Sequence, residues 1–332
     1  MFRSKQSVLG TALTLAFMMV TSIAALGQNA PGDLLITLGD PPSVLRYSPV
    51  TGTPLGYFVT PDSGGIELPQ TLTYGPDGNL YVASFGSRNI LRYNGKTGAL
   101  IDVFVPIHSG GLGGPYGVTF GPDDNLYVTS YFFASNPGVL RYDGTTGVFI
   151  DLFVAGVSMS TPAFSSDGDL YVSGPSGILR YDGLTGQPFP APGHSGAFFA
   201  AGDNGPITFG PNGDLFVTSQ CRNVLRYDGT TGAFISTFVT AGQVPLPFDQ
   251  CIAGMAFGPD RNLYLIGYYS TVYRYDGETG AFINSYGTGL RGTTGLTFTP
   301  FPTSKAQCIE DGWRTFDFRN QGQCIKFVNA SE

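Results

Sequence analysis

The chain of 332 residues contains 48 Gly and 24 Pro, and only 12% of its residues are charged. Gly and Pro are poor helix formers, whereas the 26 Phe and 18 Tyr belong to the types enriched in strands, so the composition excludes a helical protein. A hydrophobic fraction of 42% is enough for a large core and excludes a disordered chain. The net charge of −7 leaves no basic excess for phosphate contacts, which excludes nucleic acid as a partner.

Residues 1–27 have the pattern of a secretory signal peptide. Arg3 and Lys5 supply the charged start, an apolar stretch follows, and Ala-Leu-Gly at 25–27 is a small-x-small cleavage site. The alternative is a retained membrane anchor, but hydroxyl side chains interrupt the stretch and no stop-transfer charges flank it. No later segment is long and apolar enough to cross a bilayer. We therefore predict a secreted or periplasmic protein with no membrane span once the signal is removed.

The next feature along the chain is an internal repeat, and it covers most of the sequence. Each copy contains an Arg-Tyr pair, and successive pairs are 46, 49, 39, 46 and 48 residues apart. The six arginines of these pairs are Arg46, Arg92, Arg141, Arg180, Arg226 and Arg274. Each copy divides into four short strands, a to d, with a Gly-Pro-Asp-Gly type turn between a and b and an Asp-Gly-x-Thr-Gly turn between c and d.

Four-stranded antiparallel units at this spacing predict an all-β fold, a β-propeller. The first copy, 33–59, has strands b, c and d but no strand a, while the last complete copy is followed by a lone strand a at 295–298. Pairing this C-terminal strand with the N-terminal blade closes a ring of six blades and removes the exposed sheet edges. The predicted domains are the signal peptide, 1–27, a six-bladed propeller, 28–300, and a tail, 301–332.

The segment Gly-Pro-Asp-Gly-Asn-Leu-Tyr-Val at 75–82 resembles the secreted bacterial propellers that contain NHL repeats and those of the streptogramin lyase family. The resemblance extends over about 33–300 and implies the fold more strongly than an activity, because the shared motifs are turns and core strands. The tail segment at 313–328 resembles a short two-cysteine module found at the ends of exported bacterial proteins. That second resemblance implies no activity.

All four cysteines lie in the last third of the chain, and an even number in an exported protein favours disulfides. Cys221 lies in a b–c loop and Cys251 in the connector that enters the next blade, so we expect both on one face and bonded to each other. A tail of this size cannot build a core alone, and we expect a Cys308–Cys324 bridge to stabilise it.

Residues that recur in every repeat are interpreted as structural, and a binding site should use residues that occur once, in a loop. The six arginines are therefore expected to lie between sheets, bonded to carbonyl groups or to strand-d acids such as Asp102 and Asp151. His108, His194 and Asp62 occupy matching connectors and suggest a metal site. Strand d is the outermost strand, however, so the preferred interpretation of the two histidines is that they are exposed loop residues.

In a propeller the d–a and b–c loops share one face, and residues just before strand a converge near the axis. The candidate ligand-binding residues on this face are Glu67, Tyr116, Asp203, Asn204, Asp249 and Arg291. Glu67 and Arg291 have the same offset in adjacent blades, so an ion pair between them is an alternative to a ligand site.

The leading hypothesis is a non-catalytic recognition or scaffold module whose loop face binds an extracellular or periplasmic small molecule, glycan or protein, with no cofactor favoured. The alternative is implied by the family resemblance: a metal-dependent lyase or lactonase. In that case Glu67, Asp203, Asn204 and Asp249 would hold Ca²⁺ or Mg²⁺.

Overall fold

The computed structural model describes residues 32–157, 161–174, 177–189, 205–243, 251–268, 271–316 and 318–331. Within these ranges the chain forms six small antiparallel sheets, which confirms the predicted all-β propeller of six blades. The predicted signal peptide lies outside the described residues.

The strands are as follows. Blade 1 contains β1 (Leu34–Gly39), β2 (Pro42–Tyr47), β3 (Pro54–Val59) and β23 (Leu296–Phe298). Blade 2 contains β4 (Pro69–Tyr74), β5 (Leu80–Ser84), β6 (Asn89–Tyr93) and β7 (Leu100–Val105). Blade 3 contains β8 (Pro115–Phe120), β9 (Leu126–Ser130), β10 (Gly138–Tyr142) and β11 (Phe149–Ala155). Blade 4 contains β12 (Pro162–Phe164), β13 (Leu170–Gly174) and β14 (Gly177–Tyr181). Blade 5 contains β15 (Ile207–Phe209), β16 (Leu215–Ser219), β17 (Asn223–Tyr227) and β18 (Phe234–Val239). Blade 6 contains β19 (Ile252–Phe257), β20 (Leu263–Gly267), β21 (Val272–Tyr275) and β22 (Phe282–Tyr286).

The ring closes between its two ends as predicted. β23 pairs antiparallel with β1, so that Phe298 lies opposite Leu34 and Leu296 lies opposite Ile36. All four side chains are buried and belong to one hydrophobic cluster with residues of blade 6. The shared blade therefore has the strand order β23-β1-β2-β3, and each remaining blade is built from one continuous segment.

Blade 4 departs from the predicted four strands. After β14 the described residues contain only an isolated bridge between Tyr181 and Pro188. The local sequence Gln187-Pro188-Phe189-Pro190 explains the difference, since proline has no N–H group to donate to a neighbouring strand.

Aromatic side chains join each blade to the next. Tyr81 of β5 is fully buried, and its ring lies 4.9 Å from Phe104 of its own blade and 4.9 Å from Phe120 of blade 3, measured between ring centres. Both contacts are edge-to-face, the favoured geometry for aromatic pairs. Burial raises the pKa of Tyr81 to about 12, so its hydroxyl stays protonated and donates to Asp77 in the a–b turn, at 3.0 Å.

The arginine of each strand c is mostly buried and pairs with a carboxylate. In blades 2 and 3 the partners are Asp102 and Asp151 on strand d, which confirms that part of the prediction. In the other four blades the acid lies before strand b. These pairs are Arg46 with Asp33, Arg180 with Asp169, Arg226 with Asp214 and Arg274 with Asp260. The carboxylate is therefore present in every blade, but its position in the repeat changes.

The tail is a small unit with its own core. It contains a 3-10 turn (Lys305–Cys308), α1 (Gly312–Thr315) and α2 (Gln321–Ser331), helices that the sequence patterns did not predict. The expected Cys308–Cys324 disulfide is present, with a Cα–Cα distance of 5.7 Å, and Val328 is buried beside it. Among the described residues, no helix is long and apolar enough to cross a membrane.

Because the carboxylate occupies different positions in different blades, we predict that it can be moved within one blade with little loss of stability. Asp214→Asn in blade 5 should destabilise the protein by about 1.5–3 kcal/mol, because Arg226 loses its charged partner. Ser236 lies opposite Arg226 in the strand pairing of blade 5, just as Asp102 lies opposite Arg92 in blade 2. The residue before strand b is Asp214 in blade 5 and Asn79 in blade 2. Adding Ser236→Asp should therefore restore most of the loss in urea unfolding. A double variant no more stable than Asp214→Asn would contradict this.

The closure predicts different effects for two truncations. Ending the chain after Pro302 keeps β23 and should leave the ring folded. Ending it after Thr294 removes Leu296 and Phe298 from the core and should destabilise the ring by roughly 3–6 kcal/mol, the burial free energy of two large apolar side chains. Thermal unfolding of both fragments measures the difference, and equal melting temperatures would show that β23 does not close the ring.

Candidate functional site

The d–a and b–c loops lie together, and we call the surface they form the loop face. The Ile252 N–H donates to the carbonyl oxygen of Cys221 at 2.8 Å, and the Thr293 N–H donates to that of Tyr268 at 3.1 Å. The predicted Cys221–Cys251 disulfide joins the same two loop types in blades 5 and 6, with a Cα–Cα distance of 4.2 Å. With both disulfides formed, all four cysteines are paired, which fits an oxidising, extracytoplasmic compartment.

A small cavity lies between the innermost strands, near the axis. Its volume is about 110 Å³, which corresponds to roughly four water molecules. Residues from five blades and the closing strand line it, among them Thr71, Val118, Thr161, Ile207, Met255 and Leu296. The threonines bond neighbouring blades: the Thr71 hydroxyl donates to the carbonyl oxygen of Tyr116 at 2.9 Å. None of the described residues that line this cavity is ionisable.

Glu67 and Arg291 lie on the loop face, as predicted, and both are exposed. The backbone of Glu67 is fixed to blade 2, because its carbonyl oxygen accepts a bond from the Gly86 N–H at 2.9 Å. Its side chain covers Gly86, where an added Cβ would lie 2.5 Å from the Glu67 Cγ. The ion pairs of the described residues do not include one between Glu67 and Arg291, so the alternative interpretation of these two residues finds no support.

Tyr116 lies near the axis. Burial, with a smaller contribution from Tyr268, raises the pKa of Tyr116, so its hydroxyl remains protonated at neutral pH.

Three of the predicted ligands and one histidine lie outside the described residues: Asp203, Asn204, Asp249 and His194. Within the described ranges, no three His, Cys, Asp or Glu side chains lie close enough together to hold a metal ion. His108 is exposed and begins the short turn Ser109–Gly111 in a left-handed conformation, with φ 67°. The proposed metal set therefore stays a prediction.

The loop face also carries an aromatic patch, Phe85, Tyr131, Phe132 and Phe133, that the sequence patterns did not predict. The last three are 45%, 42% and 62% exposed. Their rings contact one another in sequence, and Phe132 meets Phe85 of blade 2 at 6.1 Å between ring centres. The Arg88 guanidinium lies 4.1 Å from the centre of the Phe133 ring. A cation and four aromatic rings are thus presented to solvent together.

The backbone holds this patch in place. The Gly114 N–H donates to the carbonyl oxygen of Phe132 at 2.5 Å, and a Cβ at Gly113 would lie 2.2 Å from the backbone of Ala134. Only glycine permits this close approach. Phe133 has φ 60°, a left-handed conformation that is strained for a bulky residue and that exposes its ring. Strain of this kind often accompanies functional sites.

A sequence signal for the patch existed. The repeat spacing that contains Tyr131–Phe133 is the longest of the five, 49 residues, and the run Tyr-Phe-Phe occurs once, in a loop. These residues therefore meet the criterion for site residues given above. The composition of the other b–c loops offers no comparable cluster of rings.

Comparison with known proteins identifies the fold. A chain of the nidogen/laminin complex matches 80% of this chain and 98% of its own, with 14% identity and a TM-score of 0.60. A protein of unknown function from Bacteroides caccae matches 81% and 99%, with 13% identity and a TM-score of 0.57. A gluconolactonase from Xanthomonas campestris matches 72% and 84%, with 16% identity and a TM-score of 0.49. Identities this low indicate a shared fold only.

No protein-family model and no curated protein sequence matches the chain.

The metal hypothesis is tested by chelation. We expect the melting temperature of the purified mature chain to be the same with EDTA as with added Ca²⁺ or Mg²⁺. A bound ion present at 100 times its dissociation constant would instead stabilise the fold by about 2.7 kcal/mol, or roughly 4 °C for a chain of about 300 residues. A stoichiometric ion that is lost in Asp249→Ala would contradict the expectation and favour the lyase or lactonase.

Proposed function

We propose that this protein is an exported, non-catalytic recognition module that binds a protein partner through the aromatic patch of its loop face. The observation that carries the proposal is the cluster of exposed rings, Tyr131, Phe132 and Phe133, packed with Phe85 and Arg88. Contiguous exposed apolar surface of this kind is uncommon on isolated soluble proteins and marks interaction sites.

The composition of the patch favours a protein partner. Aromatic residues and arginine are enriched at the centres of protein interfaces, where they contribute most of the binding energy. Arg88 adds hydrogen-bond donors beside the rings, and its stacking on Phe133 limits the conformations of both side chains. Because the Gly113-Gly114 contacts fix the loop beforehand, little conformational entropy remains to be lost on binding. A similar fold in the nidogen/laminin complex is consistent with this kind of role.

The proposal is tested with a peptide-display library selected against the mature chain. Selected peptides should be rich in aromatic and apolar residues, and their affinity should fall at least about tenfold for Phe132→Ser/Phe133→Ser, since central aromatic anchors each contribute about 2 kcal/mol or more. Titration calorimetry with the purified variants measures the change.

The matched control removes two aromatic rings elsewhere. Phe234 and Phe282 lie on outer strands and are 57% and 46% exposed, so Phe234→Ser/Phe282→Ser changes the composition equally without touching the loop face. Peptides that bind both variants as tightly as the parent would contradict the proposal. If only glycans or small molecules bind, and their binding needs Phe132 and Phe133, the location of the site would be confirmed but the proposal of a protein partner would be wrong.

A further inference from the structure

A second cavity lies on the opposite face of the ring, where the tail meets the a–b turns of blades 5 and 6. We call it the junction cavity. Its volume is about 350 Å³, within the usual range for small-molecule sites. Slightly more than half of its lining surface is apolar, and the apolar residues of its walls include Phe209, Pro211, Phe257, Pro259, Phe301 and Val328.

The cavity exists because the tail docks on the ring. Val328 is on α2, and Phe301 follows the closing strand, so both tail residues face turns that belong to the propeller. Within the tail, the rings of Phe327 on α2 and Phe301 lie 6.4 Å apart between ring centres and are tilted by 53°. Gly32, at the start of the ring, lies against Pro259 and Phe327. Two walls come from the repeat and one from the tail.

Arg261 is the one charged residue among those that line the cavity. It occupies the left-handed position of the a–b turn, with φ 59°, where blades 2, 4 and 5 have Gly78, Gly168 and Gly213. The turn needs a left-handed backbone at this position, which glycine adopts most readily, so the fold itself gives no reason for an arginine here. No ion pair of the described residues involves Arg261, and its side chain is exposed at the cavity.

Several polar groups around the cavity are already bonded. The Gly210 and Gly258 N–H groups donate to the backbone carbonyl oxygens of Asp214 and Asn262, at 2.8 and 2.9 Å. Thr303 donates through its N–H to the Gln307 side chain at 2.7 Å. The cavity therefore combines apolar side chains with one positive charge, which favours a single anionic group on an apolar body.

We propose that the junction cavity binds a planar aromatic monocarboxylate, with its ring between the phenylalanine and proline walls and its carboxylate on Arg261. The volume accommodates roughly twelve non-hydrogen atoms, at about 30 Å³ for each group of the size of water. Three phenylalanine rings favour an aromatic body, since rings stack on one another at low entropic cost.

The test uses 2-naphthoate, which fits this size, and its neutral isostere 2-naphthamide. Calorimetry with the full mature chain should show naphthoate binding at least about tenfold more tightly than naphthamide, because a charge-assisted bond to arginine is stronger than a neutral one. Arg261→Gly, which installs the residue of blades 2, 4 and 5, should lower naphthoate affinity roughly tenfold and leave naphthamide unchanged. Decanoate, an aliphatic carboxylate of similar size, should bind more weakly than naphthoate.

Two further variants complete the design. Lys96→Thr removes one positive charge from a c–d turn on the same face and installs the residue found at Thr145 and Thr230, so it should leave naphthoate binding unchanged. Thr303→Trp should fill the cavity and abolish the binding of both compounds. Equal affinity for naphthoate and naphthamide, or naphthoate binding that survives both Arg261→Gly and Thr303→Trp, would overturn the proposal. The loop-face variant Phe132→Ser/Phe133→Ser should bind naphthoate as tightly as the parent chain.

Discussion

A mostly buried guanidinium group in every blade is the constraint on which the propeller depends. Each strand-c arginine lies between sheets, with 15% to 23% of its side chain exposed, and a charge removed from water to this extent must be paired. Its aliphatic stem and planar head also pack on the aromatic core: the Arg92 guanidinium carbon lies 4.7 Å from the centre of the Phe104 ring, and that of Arg141 lies 4.8 Å from Phe153. One residue type thus links the charge balance of a blade to the packing of that blade's own aromatic side chains.

Because each arginine and its acid tie strand c either to strand d or to the turn before strand b, the connections between strands are free to vary. The conserved requirement within the repeat is a carboxylate near the guanidinium, and three different positions meet it. Loops have no such requirement, and the b–c loop of blade 3 extends to present Tyr131, Phe132 and Phe133. A rigid frame with variable loops is the usual arrangement for binding surfaces.

The sequence predicted the number of blades, the closing strand and both disulfides, because each depends on spacing or on which loops share a face. It did not predict which acid would pair with Arg180 or Arg226, since that choice depends on the register between strands and on the turn geometry. The aromatic patch was also missed. Hydrophobic side chains are expected in a core, and it is their exposed fractions in the structure that show that these rings face solvent.

The two proposed sites have the same origin, namely positions where the repeat is broken. At the loop face the break is an insertion of three aromatic residues, and at the opposite face it is an arginine in place of glycine, covered by a tail outside the repeat. Arg88 is half-buried and Arg261 is exposed, and both lie beside apolar side chains in a chain whose net charge is −7. In a protein of negative overall potential, such local cations attract anionic or hydrogen-bond-accepting groups to defined points. Both proposals thus place binding at departures from the repeat and not at residues that recur in every blade.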